Sequence, residues 1–223
     1  MAEYTATRDR VEAYFDRSAT KVWERLTSDA PVSRIRQTVR EGRTSMRALM
    51  LSRLPEDLRG ARVLDAGCGT GLMTAELAAR GADVLAIDLS PALIGIAEAR
   101  LPEGLRPRVT FASGDMLSGA HGRFDHVVAM DSLIYYSVPD ITAALARLGD
   151  QSSGPVVFTV APRTPFLMAF FGMGKLFPRA DRSPVMVPHA HATLARRMGG
   201  GLARVGRVNR GFYISECLEF RPC

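Results

Sequence analysis

Residues 62–72, Arg62-Val63-Leu64-Asp65-Ala66-Gly67-Cys68-Gly69-Thr70-Gly71-Leu72, decide the fold. Arg62-Val63-Leu64 reads as an apolar strand, and the three glycines that follow open a helix. Glycine has no Cβ and tolerates positive φ, so such a loop lets backbone come close to a ligand. In open α/β sheets nucleotide-like ligands bind there, at the carboxyl ends of parallel strands. The spacing differs from the dinucleotide fingerprint Gly-x-Gly-x-x-Gly, whose third glycine allows close helix–strand packing. Here the third glycine, Gly71, stands one position early and Leu72 fills the expected slot.

Two more signals lie downstream. Ala82-Asp83-Val84-Leu85-Ala86-Ile87 is a second buried strand, ending in Asp88-Leu89-Ser90-Pro91. An acidic side chain about 20 residues beyond the loop, at a second strand's end, is placed to accept hydrogen bonds from both ribose hydroxyls. Ser90 then Pro91 is a helix start, with an N-cap hydroxyl and proline at the first helical position. A third strand, Arg108 to Ala112, ends in Ser113-Gly114-Asp115-Met116.

In order and spacing these motifs resemble those of class I S-adenosylmethionine-dependent methyltransferases. The resemblance implies that the backbone at Gly67 and Gly69, with Asp65 bracing the loop, holds the methionine portion of that cofactor. Asp88 takes the ribose, Leu89 and Met116 pack on the adenine, and Asp115 accepts from the adenine amine. Asp88→Ala is thus expected to weaken cofactor binding while sparing the fold. Arg43, with Arg40 as second choice, is the candidate partner of the cofactor's carboxylate, since a guanidinium suits bidentate recognition. A solvated basic helix face is the competing reading of either arginine. Met130, at the end of a fourth strand, is a further cofactor-binding candidate, and Asp131 and Ser132 after it shape the cofactor end of the pocket.

From Val63 to Ala161 strand-like runs alternate with helical patterns. Leu72 to Arg80 reads as a helix with Leu72, Ala75 and Ala78/Ala79 on one face, and Ser90 to Leu101 as another. Phe124 to Met130 is the fourth strand, Asp140 to Leu148 a helix with Ile141, Ala144, Leu145 and Leu148 inward, and Val156 to Ala161 the fifth strand. Such alternation makes a parallel sheet with helices on both faces. Arg204 to Val208 and Phe212 to Phe220, with Asn209-Arg210-Gly211 as the turn, add a hairpin. The expected fold is therefore α/β: a Rossmann-like, seven-stranded, mostly parallel sheet with a terminal antiparallel strand. Residues 1–58 form a helical arm and 59–223 the cofactor-binding domain, with a lid-like, substrate-capping insertion at 163–191.

The chain has 223 residues and a formal charge of +6. That charge favours anionic partners: a carboxylated small molecule, an acidic membrane surface or nucleic acid. Three cysteines without metal-ligand spacing fit a reducing compartment. Cys68 is read as a small buried side chain. Met1 to Arg10 lacks the apolar core of a signal peptide, and no apolar run reaches the length of a membrane span. The expected location is cytoplasmic, with peripheral attachment to a membrane left open.

Two segments carry a narrower resemblance. Tyr14-Phe15-Asp16, Trp23-Glu24-Arg25-Leu26, Val32 to Arg43, and Gly211-Phe212-Tyr213-Ile214-Ser215 look like the arm and tail of magnesium-protoporphyrin IX O-methyltransferases, in the version of purple photosynthetic bacteria. That family esterifies a propionate of the magnesium porphyrin. The resemblance implies magnesium-protoporphyrin IX as substrate and no protein metal site, because the magnesium arrives in the porphyrin. It implies the large porphyrin-binding subunit of magnesium chelatase as partner, contact with the photosynthetic membrane left open, and no nucleic acid. Tyr14 is the arm tyrosine near the reaction, unless it only packs an amphipathic helix with Val11, Phe15, Val22, Trp23 and Leu26. Plant and cyanobacterial relatives have His-Tyr where this chain has Tyr135-Tyr136, so a histidine-centred mechanism does not carry over; Tyr135 orients or hydrogen-bonds.

The segment Phe166, Leu167, Met168, Phe170, Phe171, Met173, Leu176 and Phe177 suits a pocket lining, a buried helix or a membrane-facing patch. His189 and His191 are read as surface or capping residues, with porphyrin contact the other option. A methyltransferase of quinone precursors or lipids would share every cofactor motif. An RNA methyltransferase lacks its appended module here, and the missing third-position glycine argues against an oxidoreductase. A non-catalytic porphyrin carrier has no need of the intact Asp88 and Asp115.

Overall fold

The computed structural model describes residues 2–16, 24, 27–28, 31–119, 121–165, 167–168 and 184–222. Its strands are β1 (Arg62–Ala66), β2 (Asp83–Asp88), β3 (Val109–Ser113), β4 (His126–Ala129), β5 (Val156–Val160), β6 (Leu202–Arg210) and β7 (Tyr213–Phe220). They form one sheet in the order β3-β2-β1-β4-β5-β7-β6. β1 to β5 are parallel, and β7 enters antiparallel between β5 and β6. The helices are α1 (Ala2–Tyr14), α2 (Arg34–Leu51), α3 (Leu72–Ala79), α4 (Pro91–Arg100), α5 (Val138–Asp150) and α6 (His191–Met198).

Parallel strands covered on both faces read as continuous apolar runs; every position of β5 is buried accordingly. One core layer packs Phe124, Phe158, Ile141, Leu145 and Leu194 under α5 and α6. The opposite layer packs Met46, Met50, Leu77 and Cys217 under α2 and α3. The inward face of α5 is the one its sequence periodicity predicts, Ile141, Ala144, Leu145 and Leu148. Ser90 caps α4 by accepting from the Leu93 N–H at 3.3 Å, with Pro91 at the first turn. Where β4 leaves the sheet at Ala129, the chain turns toward the glycine loop, so the candidate residues gather at the carboxyl ends of β1, β2 and β4.

Three expectations are corrected. α3 buries Met73, Thr74, Leu77 and Ala78, while Leu72 is 37% exposed. Gly71 at the N-cap is left-handed (φ +79°) and sets the helix phase one residue later than the Leu72 pattern predicts. The final hairpin turns at Gly211-Phe212, not Asn209 to Gly211, and β6 begins earlier, at Leu202. Gly211, at φ +56°, supplies the left-handed backbone of this two-residue turn, and the pairing runs in one register from it back to Gly206. His189 is neither surface nor capping: it is buried and its Nε2 donates to the Tyr136 carbonyl at 2.9 Å.

Val22, Trp23 and Leu26 of the arm stripe lie outside the described residues, as do Phe166, Phe170, Phe171, Met173, Leu176 and Phe177 of the expected cap. Among the described residues no helix is long and apolar enough to cross a membrane.

Candidate cofactor and active site

The glycine loop is tied down from three directions. Asp65, at the end of β1 and 1% exposed, accepts from the Thr74 hydroxyl of α3 at 2.6 Å. The Gly67 and Cys68 N–H groups donate to the Ile87 carbonyl of β2 at 2.8 and 3.0 Å. The Gly69 N–H donates to Asp88 Oδ2 at 2.8 Å, and Asp88 Oδ1 accepts from the Ser90 N–H at 2.9 Å. Gly67 has φ +84°, and a Cβ there would lie 2.4 Å from the Cβ of Ser132. Only a bare Cα allows that approach. The third glycine does serve packing, although against α4: a Cβ on Gly71 would sit 3.0 Å from that of Ala97.

Two further clusters complete the site. At β3's end, Asp115 Oδ1 accepts from the Tyr4 hydroxyl at 2.8 Å and the Leu117 N–H at 2.9 Å, and Arg8 approaches Oδ2 at 3.4 Å. The Tyr4 ring stacks on Tyr136 with centroids 5.0 Å apart. Past β4, Asp131 accepts from Tyr213 and Thr159 and pairs with Arg43. Asp16 reaches the start of α4, where Ser90 Oγ donates to it at 2.7 Å.

One cavity, about 1010 Å³ of empty space including its mouth, joins these parts. Arg43, Asp65, Gly67, Gly69, Asp88, Leu89, Asp115, Met116, Met130 and Tyr135 all line it. Arg43 does so while bonded through Nη1 to Asp131. Tyr14 is not part of the wall; its ring sits edge-on to Phe15 at 5.2 Å, and Phe15 is 6.3 Å from Tyr135. Tyr136, the second member of the Tyr135-Tyr136 pair, lines the cavity too, and so does Tyr4, which nothing local marks because its partner Asp115 lies 111 positions away.

Burial sets the protonation states. It pushes the phenols of Tyr4, Tyr135 and Tyr136 up, so they stand at neutral pH as hydrogen-bond donors. It also pushes the Cys68 thiol up, which leaves an inert buried side chain there. The Asp65 carboxyl is pushed up to about 7, mainly by burial, against the pull of the Thr74 bond. In an unfolded chain the same group titrates near pH 3.9, roughly. The folded protein then keeps a proton that the unfolded chain releases between about pH 4 and 7, so this group costs stability as pH rises through that window. Asp65→Asn is expected to lose less stability than the wild type across it, by on the order of 1 kcal/mol per pH unit. Equal dependence of stability on pH in the two proteins would show Asp65 already ionised when folded.

The residues present fit S-adenosylmethionine. Ser132 Oγ is buried without a partner among the described residues, directly beside the bare Gly67. Asp88 and Asp115 offer acceptors at separate points of a cavity walled by Leu89, Met116 and Met130, and Arg43 supplies a cation. Among the described residues no group of three His, Cys, Asp or Glu side chains could hold a metal ion.

Comparison with known proteins agrees with this fold and with this cofactor class. A family model described as magnesium-protoporphyrin IX methyltransferase C-terminus matches residues 129–222, and one for a methyltransferase domain matches 63–150. The magnesium-protoporphyrin O-methyltransferase of Rhodobacter capsulatus is 63% identical over 99% of both chains. The chloroplastic magnesium protoporphyrin IX methyltransferase of Arabidopsis thaliana is 30% identical over 96% of this chain and 71% of its own. The crystal structure of magnesium protoporphyrin IX methyltransferase from Synechocystis PCC 6803 with bound SAH superposes with a TM-score of 0.81 at 27% identity, covering 97% of this chain and all of that one. With its glycine loop, its strand order and a full-length relative at that identity, the chain belongs to the magnesium-protoporphyrin IX O-methyltransferase family, on the class I methyltransferase fold.

Proposed function

We propose that this protein transfers a methyl group from S-adenosylmethionine to a propionate carboxylate of magnesium-protoporphyrin IX, giving the monomethyl ester in bacteriochlorophyll or chlorophyll synthesis. The full-length identity to the Rhodobacter capsulatus enzyme carries this reading. The magnesium belongs to the substrate.

Bound S-adenosylmethionine supplies a methyl group on a cationic sulfonium. The acceptor carboxylate is ionised at neutral pH, so the protein needs no strong base. What remains is positioning, which in favourable intramolecular systems is worth up to ~7–11 kcal/mol. Gly67, Gly69 and Ser132 would hold the methionine portion, Asp88 the ribose, Asp115 with Leu89 and Met116 the adenine. Tyr135, kept protonated by burial, would donate to the acceptor carboxylate and orient it.

The Tyr14 ring packs on Phe15, which packs on Tyr135, and after burial itself the Tyr14 hydroxyl is among the groups that push the Tyr135 phenol up. We expect Tyr14→Phe to lower turnover about tenfold while cofactor affinity stays within about twofold, as for a group that acts on the reaction through Tyr135 and not on cofactor binding. Wild-type kinetics in that variant would return Tyr14 to packing.

The decisive assay uses purified protein with labelled S-adenosylmethionine and magnesium-protoporphyrin IX, metal-free protoporphyrin serving as control. Ester formed on the magnesium porphyrin supports the reading. Cofactor binding without ester would send the search to quinone precursors and lipids. We also propose the large porphyrin-binding subunit of magnesium chelatase as donor of this poorly soluble substrate, with the enzyme cytoplasmic or resting on the membrane surface. The family resemblance supports this, and failure to co-purify with that subunit would count against it.

A further inference from the structure

We propose that Asp131 is the positioning residue that holds Arg43 ready for the carboxylate of the cofactor's methionine portion, an inference that rests on the cofactor reading above. Asp131 is the one non-glycine residue with positive φ among those described, at +57°. Left-handed backbone is uncommon outside glycine, and aspartate and asparagine tolerate it best. The conformation is fixed by a small ring. The Asp131 N–H donates to Thr159 Oγ1 at 2.7 Å, and that hydroxyl donates back to Asp131 Oδ1 at 3.1 Å.

The other donors arrive from distant elements. The Tyr213 hydroxyl of β7 donates to Oδ1 at 3.1 Å. Gly42 makes room for it, since a Cβ there would lie 2.5 Å from Tyr213 Cδ1. The next residue of α2, Arg43, brings its Nη1 to Asp131 Oδ2. α2, β5 and β7 thus converge on one carboxylate just past β4, with a side chain only 9% exposed. Exposed ion pairs contribute little, but this one is largely buried, and both members line the cavity. A guanidinium pinned through Nη1 presents its charge in one orientation rather than many. Less entropy is then lost when a carboxylate binds to it.

The test compares two ligands by calorimetry. S-adenosylhomocysteine carries the amino-acid carboxylate; 5′-methylthioadenosine keeps the adenosine and sulfur and lacks it. Asp131→Asn preserves size and tolerance of left-handed backbone while removing the charge. We expect its Kd for S-adenosylhomocysteine to rise about tenfold, and that for methylthioadenosine to stay within about twofold. Tyr213→Phe should give a smaller rise with the same selectivity, and it carries the test should Asp131→Asn fail to fold. An unchanged Kd for S-adenosylhomocysteine overturns the proposal, as does equal loss for both ligands, the mark of a purely structural role. Tighter binding would overturn it too, by showing that Asp131 competes for Arg43. Wild-type protein that binds neither ligand would instead sink the cofactor reading itself.

Discussion

Gly67→Ala is expected to abolish measurable cofactor binding, a loss of at least about a hundredfold, and to destabilise the fold by roughly 2–4 kcal/mol. Two independent costs add at this position. Left-handed backbone at φ +84° penalises any L side chain by about 1–2 kcal/mol. The new Cβ would also stand 2.4 Å from that of Ser132, and nothing can be accommodated at that distance without displacing the chain that follows β4. That chain carries Asp131, Ser132 and Tyr135, all in the cavity wall. Calorimetry with S-adenosylhomocysteine and a thermal melt give the two numbers. Combining Gly67→Ala with Ser132→Gly should recover the steric part and leave the backbone part. Wild-type affinity in the single variant would show that the loop does not face the ligand.

Asp88→Ala should be nearly as severe, and not only through a lost ribose contact. The carboxylate accepts from the Gly69 and Ser90 N–H groups, one on each oxygen. Truncation leaves two sequestered donors, at about 1–3 kcal/mol each, and unties the glycine loop from the start of α4. The sequence-based expectation that the fold would be spared is therefore revised: melting temperature and affinity should fall together. Asp88→Asn keeps one acceptor and turns an amide toward the other N–H, so it should lie between wild type and alanine in both measurements. Full cofactor affinity in Asp88→Ala would remove this side chain from the site.

The parts of the site legible in the sequence are those built from short-range chemistry. The loop from Gly67 to Gly71, the acid at the end of β2 and the Ser90-Pro91 cap each carry a local signature, because each acts within a few residues of its own backbone. Asp115 was legible as an acid at a strand end, but not its capture by Tyr4 and Arg8, more than a hundred positions earlier. Likewise Asp131 could be placed near the cofactor, while its partners Arg43, Thr159 and Tyr213 come from three separate elements. Tyr14 and Tyr135 illustrate the same limit. Both are aromatic candidates in the sequence, yet only folding decides that Tyr135 lines the cavity and that Phe15 packs edge-on against both rings. Leu72 shows an opposite failure, where an apolar pattern pointed inward and a left-handed glycine cap turned the residue out.

The place of β7 has a consequence for synthesis on the ribosome. β1 to β5 can pair as they emerge, but the far side of β5 has no neighbour until residues 213–220 follow. Chains are made from the amino terminus, and contacts between distant segments form only after the later one exists. The Tyr213 bond to Asp131 spans 82 positions. A nascent chain halted before Tyr213 would already possess its glycine loop and Asp88, with an unpaired strand edge exposed and the Arg43 end of the cavity unfinished. The order of translation therefore dictates that the glycine loop and the Asp88 end of the site mature first and the Arg43–Asp131 end last.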